Sequence, residues 1–430
     1  MTGRKKTPVI IDTDPGVDDT VAILMALASP EIEILAYVVT FGNTDLEASY
    51  HNIFKIYQAV GREIEHDPAA AARFPNYTQA VKPIIVKGPE GPLSGDQHSA
   101  KYFHGRDGLG NAYEHHPDLD VPASVLEADD NPHLQITRKP AYEVALDLLR
   151  DHDYREITYI VLGPMTNLAL MMRADAELVQ KRIGRVVVMG GALDVPGNAT
   201  PVAEFNWYAD PYAVHELLTP SADAAHSGLP ISRTLILPLD ITTPHEIPFP
   251  AYAEHIDPTF APDEPSKPEG KAPLRHFASA FLRRTREVMK SFGKDAMELH
   301  DITAVWAAAQ CPPTETDAVM GLADGWSVYW RTFAIERTGE YTRGMCVVDR
   351  RDEAMAYASG KNRAKLQEAL IDADTKHGEL ESVAEPAPVM GEDTPEELPE
   401  GYEGVPIVAR TPGPQVLLQI LFSRVWGVEI

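Results

Sequence analysis

Short runs that are apolar at every position recur along this chain, and each is followed by a stretch with helical spacing. Val9-Ile10-Ile11 and Val186-Val187-Val188 are two such runs. A strand with one wet face alternates apolar and polar residues, whereas a run apolar throughout needs cover above and below. Residues 33–40, 83–87, 157–162, 186–189 and 234–239 read as strands. Residues 46–60, 141–150, 167–173, 210–218 and 274–291 read as helices. This alternation predicts an α/β fold: an open, mostly parallel, Rossmann-like sheet flanked by helices. Ligands of such sheets bind at the C-terminal ends of the strands, so the active site is expected there.

Three segments break the pattern. Residues 62–81 and 114–140 read as insertions, and 257–273, rich in Pro and acids, as a mobile loop. The main domain is placed at 7–375, followed by an acidic, Pro-rich linker at 376–404 that has no Lys or Arg from Gly378 onward. In the C-terminal segment 405–430, Val416, Leu417, Ile420, Leu421 and Val425 form the stripe of an amphipathic helix. That helix is expected to dock on the body or on a partner subunit.

The net charge of -26 disfavours nucleic acid and anionic membranes as partners. Two cysteines, Cys311 and Cys346, leave no disulfide framework and no Cys-rich metal site. No apolar stretch approaches the roughly 18 residues of a membrane span. The basic start runs straight into the first strand and does not read as a signal peptide, so a cytoplasmic setting is expected.

The chemistry concentrates where the first apolar run ends. Ile11-Asp12-Thr13-Asp14-Pro15-Gly16-Val17-Asp18-Asp19 reads as strand end, Pro-Gly turn and helix start, with four carboxylates around the junction. Two carboxylates about 4 Å apart repel by roughly 4 kcal/mol at an effective dielectric near 20. Protons, hydrogen bonds or a cation must neutralise such a cluster. Oxygen ligands without His or Cys beside them favour calcium or magnesium. First-turn acids that merely complement a helix dipole are the ordinary alternative, but it does not account for four acids at one strand end.

Four further pieces follow strands. They are Gly42-Asn43; Leu162-Gly163-Pro164-Met165-Thr166-Asn167; Met189-Gly190-Gly191 continuing to Asn198 and Glu204-Phe205-Asn206; and Leu299-His300-Asp301. Together with the acidic turn, and in this order, they resemble the inosine-uridine preferring nucleoside hydrolases over roughly residues 7–357. That family cleaves the N-glycosidic bond of ribonucleosides with calcium.

The resemblance implies a role for each piece. Asp14, Asp19 and Asp301 would bind calcium through carboxylate oxygens, with Asp19 bidentate, and the main-chain carbonyl of Leu162 would add another oxygen. Asp14 would be the general base for the attacking water, and Asp12 would support the cluster from behind. Asp18, Asn43, Asn198, Glu204 and Asn206 would hold the ribose, with Met189 beneath the ring. His300 would assist the leaving base, and His104, in a Gly-rich segment, would lie on a flexible loop over the site. These residue types suit a reaction that builds positive charge on the sugar and negative charge on the base. Uridine, inosine or both are the expected substrates, purine against pyrimidine preference staying open, and a homodimer or homotetramer is the expected assembly. Two other readings compete. A non-catalytic nucleoside or ribose binder could keep the same residues. A magnesium-dependent phosphatase would use Asp12-Thr13-Asp14, although Pro15-Gly16 suits it poorly and no lysine motif is evident.

Overall fold

The computed structural model describes residues 5–126, 131–219, 228–261, 264–315, 321–349 and 404–430. All but one residue of the linker placed at 376–404 lies outside the described residues. Nine strands form the main sheet: β1 (Thr7–Thr13), β2 (Ile32–Val39), β3 (Ile84–Lys87), β4 (Gln135–Ile136), β5 (Thr158–Val161), β6 (Arg185–Met189), β7 (Thr234–Leu237), β10 (Ser327–Arg331) and β13 (Val405–Arg410). Two small antiparallel pairs join β8 (Glu246–Pro248) to β9 (Ala296–Glu298), and β11 (Ala334–Ile335) to β12 (Cys346–Val347).

The strand order is β10-β13-β7-β6-β5-β1-β2-β3-β4, and every neighbouring pair is parallel except β10 with β13. The chain winds outward from β1 to β4, then returns to lay β5 on the other side of β1 and winds the opposite way. The reversal opens a crevice at the C-terminal ends of β1 and β5, the switch point where open α/β sheets bind ligands.

The doubly apolar runs behave as their composition requires. Val9 and Ile11 join one core beside helices Val17–Leu27, Leu46–His66, Pro273–Ser291 and His300–Gln310. Ile10 joins the other core, beside helices Ala141–Asp151, Thr166–Arg182 and Pro211–Leu218. The period-two alternation of a strand therefore sorts the functional side chains as well: Asp12 falls on the face of Ile10 and Thr13 on that of Ile11.

The insertions differ from expectation in three ways. The stretch 62–81 is not a loop at its start, because Ile64 continues the apolar stripe of helix Leu46–His66, which ends where Asp67-Pro68 blocks another turn. The stretch 114–140 is anchored by buried Leu119, Val121 and Leu134, and ends in edge strand β4. Within 257–273, Asp257 accepts hydrogen bonds from Lys271 Nζ and Ser279 Oγ, both at 2.6 Å, which fastens the described parts of that loop to the helix that follows.

The C-terminal segment adds β13 to the main sheet, between β7 and β10, so this part of the chain belongs to the same body. Its helix Pro414–Leu421 and the wider turn Phe422–Trp426 bury Leu417, Leu421, Phe422 and Val425 in the first core. Arg424 grips Glu31 with two hydrogen bonds of 2.9 and 2.6 Å, a paired geometry that fixes direction as well as charge. No helix of the described residues is long and apolar enough to cross a membrane.

Candidate active site

β1 delivers its carboxylates in two directions. Asp12, facing the second core, accepts from Tyr159 Oη at 3.0 Å and Asn167 Nδ2 at 2.9 Å. Burial pushes its carboxyl up to about 7 against those two hydrogen bonds. Beyond the strand end, Asp19 accepts from Thr13 Oγ1 at 2.6 Å, Asp14 N at 3.3 Å, Gly16 N at 3.1 Å and Asn43 Nδ2 at 2.8 Å. Asp19 thus serves as the hub that folds the Pro15-Gly16 turn onto the first turn of the helix.

Asp14 is held on one side only. Its Oδ2 accepts from the main-chain N–H of Asn43 at 2.7 Å, while its buried Oδ1 has no hydrogen-bond partner. Two glycines make room for the carboxylate: a Cβ on Gly42 would lie 2.0 Å from Oδ2, and one on Gly163 would lie 2.5 Å from Oδ1. This gives Gly42 and Gly163 a steric reason in the two strand-end motifs.

One oxygen each of Asp18, Asp19 and Asp301 comes within 4.8 Å of the others. Burial, then the charges of Asp18, Asp19 and Asp14, raises the Asp301 carboxyl well above the usual range. Burial and the Asp19 charge do the same to Asp14. Asp18 is pushed up to about 7 by burial and the Asp19 charge, and its Oδ1 is also buried without a partner. Crowded carboxylate oxygens, two of them buried without a partner, and no nitrogen or sulfur ligand among them fit a hard divalent cation. This is an Asp-rich potential metal site.

A cavity of about 440 Å³ opens beside this cluster. It is lined by Asp18, Asn43, His104, Leu162, Met189, Asn198, Glu204, Asn206, His300 and Asp301, ten of the thirteen residues singled out from the sequence. Asp12, Asp14 and Asp19 are fully buried and form no part of its wall. Asn206 Nδ2 donates to the Leu162 carbonyl at 2.7 Å and to that of Met189 at 3.3 Å, tying the ends of β5 and β6 together. Glu204 caps the helix Phe205–Ala209 by accepting from the amides of Asn206 and Trp207, and it also accepts from Gly191 N. Asn198 Oδ1 accepts from Phe205 N at 2.9 Å.

The two histidines are held differently. His104 Nδ1 accepts from Val17 N at 3.1 Å, so the proton of the neutral ring sits on Nε2. Burial, and then the nearby His300, lowers this imidazole to about 3. His300 Nε2 lies 3.0 Å from Glu298 Oε2, and its Nδ1 lies 2.8 Å from Thr242 Oγ1. Burial opposes ionisation of Glu298, but hydrogen bonds from His300 and Lys294 outweigh it and hold the carboxyl down at about 2.

Sequence reasoning missed Glu298, Thr242 and Lys294. Glu298 ends β9 and His300 opens the helix that follows, so no single periodicity links the two. Thr242 and Lys294 carried no signal either. The apolar wall formed by Phe103, Phe205, Met289, Phe292 and Met297 was missed as well. Asn167 and Tyr159 were read only as parts of a turn and a strand, not as the partners of Asp12.

Residues 9–377 match the family model of the inosine-uridine preferring nucleoside hydrolases. An uncharacterised protein of Schizosaccharomyces pombe is 30% identical over 343 residues, 79% of this chain and 88% of its own length. The pyrimidine-specific ribonucleoside hydrolase RihA of Klebsiella pneumoniae is 29% identical over 347 residues, 80% of this chain and 88% of that protein. Among solved structures, a plant nucleoside hydrolase superposes with a TM-score of 0.62 at 21% identity, covering 98% of this chain and 99% of the other, which speaks for the fold.

Proposed function

Since the chain belongs to the inosine-uridine preferring nucleoside hydrolase family, and so acts on N-glycosidic bonds of ribonucleosides, we propose that it converts uridine or inosine and water to ribose and free base, with calcium as the bound cation. The observation that carries this reading is the set of crowded aspartates, two of them with unpartnered buried oxygens, beside a cavity of about 440 Å³. That volume lies within the usual range for small-molecule sites, about 300–1,000 Å³.

Asp14, Asp19, Asp301 and the Leu162 carbonyl would hold the calcium, with an Asp18 oxygen also within 4.8 Å of those of Asp19 and Asp301. When bound, the cation lets neighbouring carboxylates ionise together and makes a water more acidic. Asp14, whose Oδ2 is fixed from behind by the Asn43 amide, would accept the proton of the attacking water through its unpartnered Oδ1. Lying behind the cavity wall, it can take a proton only from a water held among the aspartates. Asp18, at the wall, accepts from a ribose hydroxyl, and Asn43, Asn198, Glu204 and Asn206 surround the rest of the sugar over Met189.

As the bond to the base breaks, positive charge grows on the sugar, where the anionic wall stabilises it. The departing base, resting against Met289, Phe292 and Met297, takes on negative charge. His300, at the cavity wall, would supply it a proton once one ring nitrogen gives up its present partner, Glu298 or Thr242, and the neutral His104 offers a hydrogen bond from Nε2. The relative that bears a pyrimidine-specific name supports uridine as the first substrate to try.

Release of free ribose from uridine and inosine, measured with and without chelator, tests the reading. Ribose formation that stops with chelator and returns with calcium is expected. Binding of uridine by calorimetry with no ribose formed would overturn it in favour of a non-catalytic binder.

A further inference from the structure

We propose that His116, Asp118 and His276 form a second metal site, for a borderline divalent cation such as zinc, which ties the 114–140 excursion to helix Pro273–Ser291. None of the three lines the nucleoside cavity. Each offers one donor atom, and the three donors lie within 4.8 Å of one another. His116 and His276 are 4% and 3% exposed, while the Asp118 side chain is about half open to solvent at 49%, which leaves a way in.

The spacing suits a metal. His276 Nε2 and Asp118 Oδ2 lie 3.2 Å apart. Two ligands at 2.0–2.1 Å from a tetrahedral zinc are separated by about 3.3 Å. The other ring nitrogen of His276, Nδ1, lies 2.9 Å from Ser266 Oγ, the kind of outer partner that orients a metal-binding imidazole and leaves Nε2 for the ion.

A plain hydrogen bond from His276 to Asp118 would explain that pair but not His116. The Nε2 of His116 is buried and has no hydrogen-bond partner, although its ring stands edge-on to His276 with centroids 5.1 Å apart. Two imidazoles and one carboxylate are a donor set that zinc favours over calcium. The nearby cations do not oppose it strongly, because Lys271 pairs with Asp257 at 2.6 Å and Arg283 with Glu287 at 2.8 Å. A cavity of about 190 Å³ touching Asp118 and His276 leaves room for water to complete the coordination.

The local sequence builds the site. Pro117 opens the tight turn Pro117–Leu119, which sets His116 and Asp118 on either side of it. His276 sits in the first turn of its helix, on the side facing that turn.

The test uses the full chain saturated with calcium, so that the aspartate cluster is filled, and then titrates zinc by calorimetry. One zinc per chain and a rise in melting temperature are expected. In H116Q, H276Q and D118N zinc binding should weaken by at least about tenfold, and the melting-temperature rise should vanish. Cobalt in place of zinc should give visible absorption in the wild type and lose it in each variant. Calcium-supported nucleoside hydrolysis should be unchanged, which also shows that each variant folds. Should a histidine variant fail to fold, D118N, altered at the half-exposed carboxylate, decides alone. No zinc uptake by the calcium-loaded wild type, or equal uptake by wild type and D118N, overturns the proposal.

Discussion

Glu298 Oε2 stands 3.0 Å from His300 Nε2, with Lys294 on the other carboxylate oxygen at 2.7 Å. Thr242 closes the far side of the same imidazole. A ring bonded at both nitrogens cannot rotate freely, so these partners fix the direction in which it faces the cavity.

Proton delivery to the leaving base should therefore depend on Glu298. His300→Ala is expected to lower kcat for uridine by about 10²–10⁴, and Glu298→Gln by a smaller factor, on the order of tenfold. A p-nitrophenyl riboside, whose leaving group needs no proton, should lose far less in both variants. Equal losses on the two substrates would show that the pair serves some other purpose.

Asp14→Asn should abolish most base release, with a loss of about 10²–10⁴ in kcat. Its effect on stability should run the other way. The substitution removes a carboxylate buried among like charges with an unpartnered oxygen, so the metal-free variant should melt no lower than the metal-free wild type. Thermal melts in chelator measure this directly, and a marked drop would mean that the carboxylate is satisfied without a cation.

Stability without metal should also fall as pH rises. Folded Asp18 keeps its proton up to about pH 7, while an unfolded Asp releases its proton near 3.9. Between those values the folded chain binds the extra proton, so this contribution is full below about pH 4 and is lost on the way to 7. Asp14 and Asp301 are shifted in the same direction. Calcium favours the charged carboxylates and should reverse the trend, adding about 2.7 kcal/mol at a hundredfold excess over its Kd. Melting temperatures from pH 4 to 8, with calcium and with chelator, should diverge as pH rises; parallel curves would exclude a cation among these aspartates.

Ile407 pairs with Ile236 across β13 and β7 and is fully buried. Ile407→Ala should cost about 2–5 kcal/mol in urea unfolding, in line with other buried Ile truncations. A chain ending before Val405 should fail to give a cooperative transition, because the edge of β7 and the apolar pocket for Phe422 would both lie bare. Wild-type stability in the shortened chain would contradict the placement of β13.

Local patterns carried most of the fold. The doubly apolar runs announced β1, β5, β6 and β7, and the strand-end turns pointed to Asn43, Leu162 and Asp301, which line one cavity. What was hidden arises from pairing across long separations. β13 is a short run after a lengthy acidic stretch, and nothing local says that it slots in parallel beside β7. Glu298 shows its purpose only once the β8–β9 pair turns it toward His300. The grouping of Asp18, rather than Asp14, with Asp19 and Asp301 depends on side-chain directions that no spacing encodes. His116 and His276 lie 160 positions apart and come together through the folding of a stretch that read only as an insertion.

The last strand also sets an order of events during synthesis. β7 must wait for β13, so the growing polypeptide carries an open hydrogen-bonding edge while the residues between Leu237 and Val405 are made. Such an edge invites pairing with other nascent chains. The sheet of this hydrolase can be completed only once Val405–Arg410 is available, and chaperone demand should peak in the interval before it.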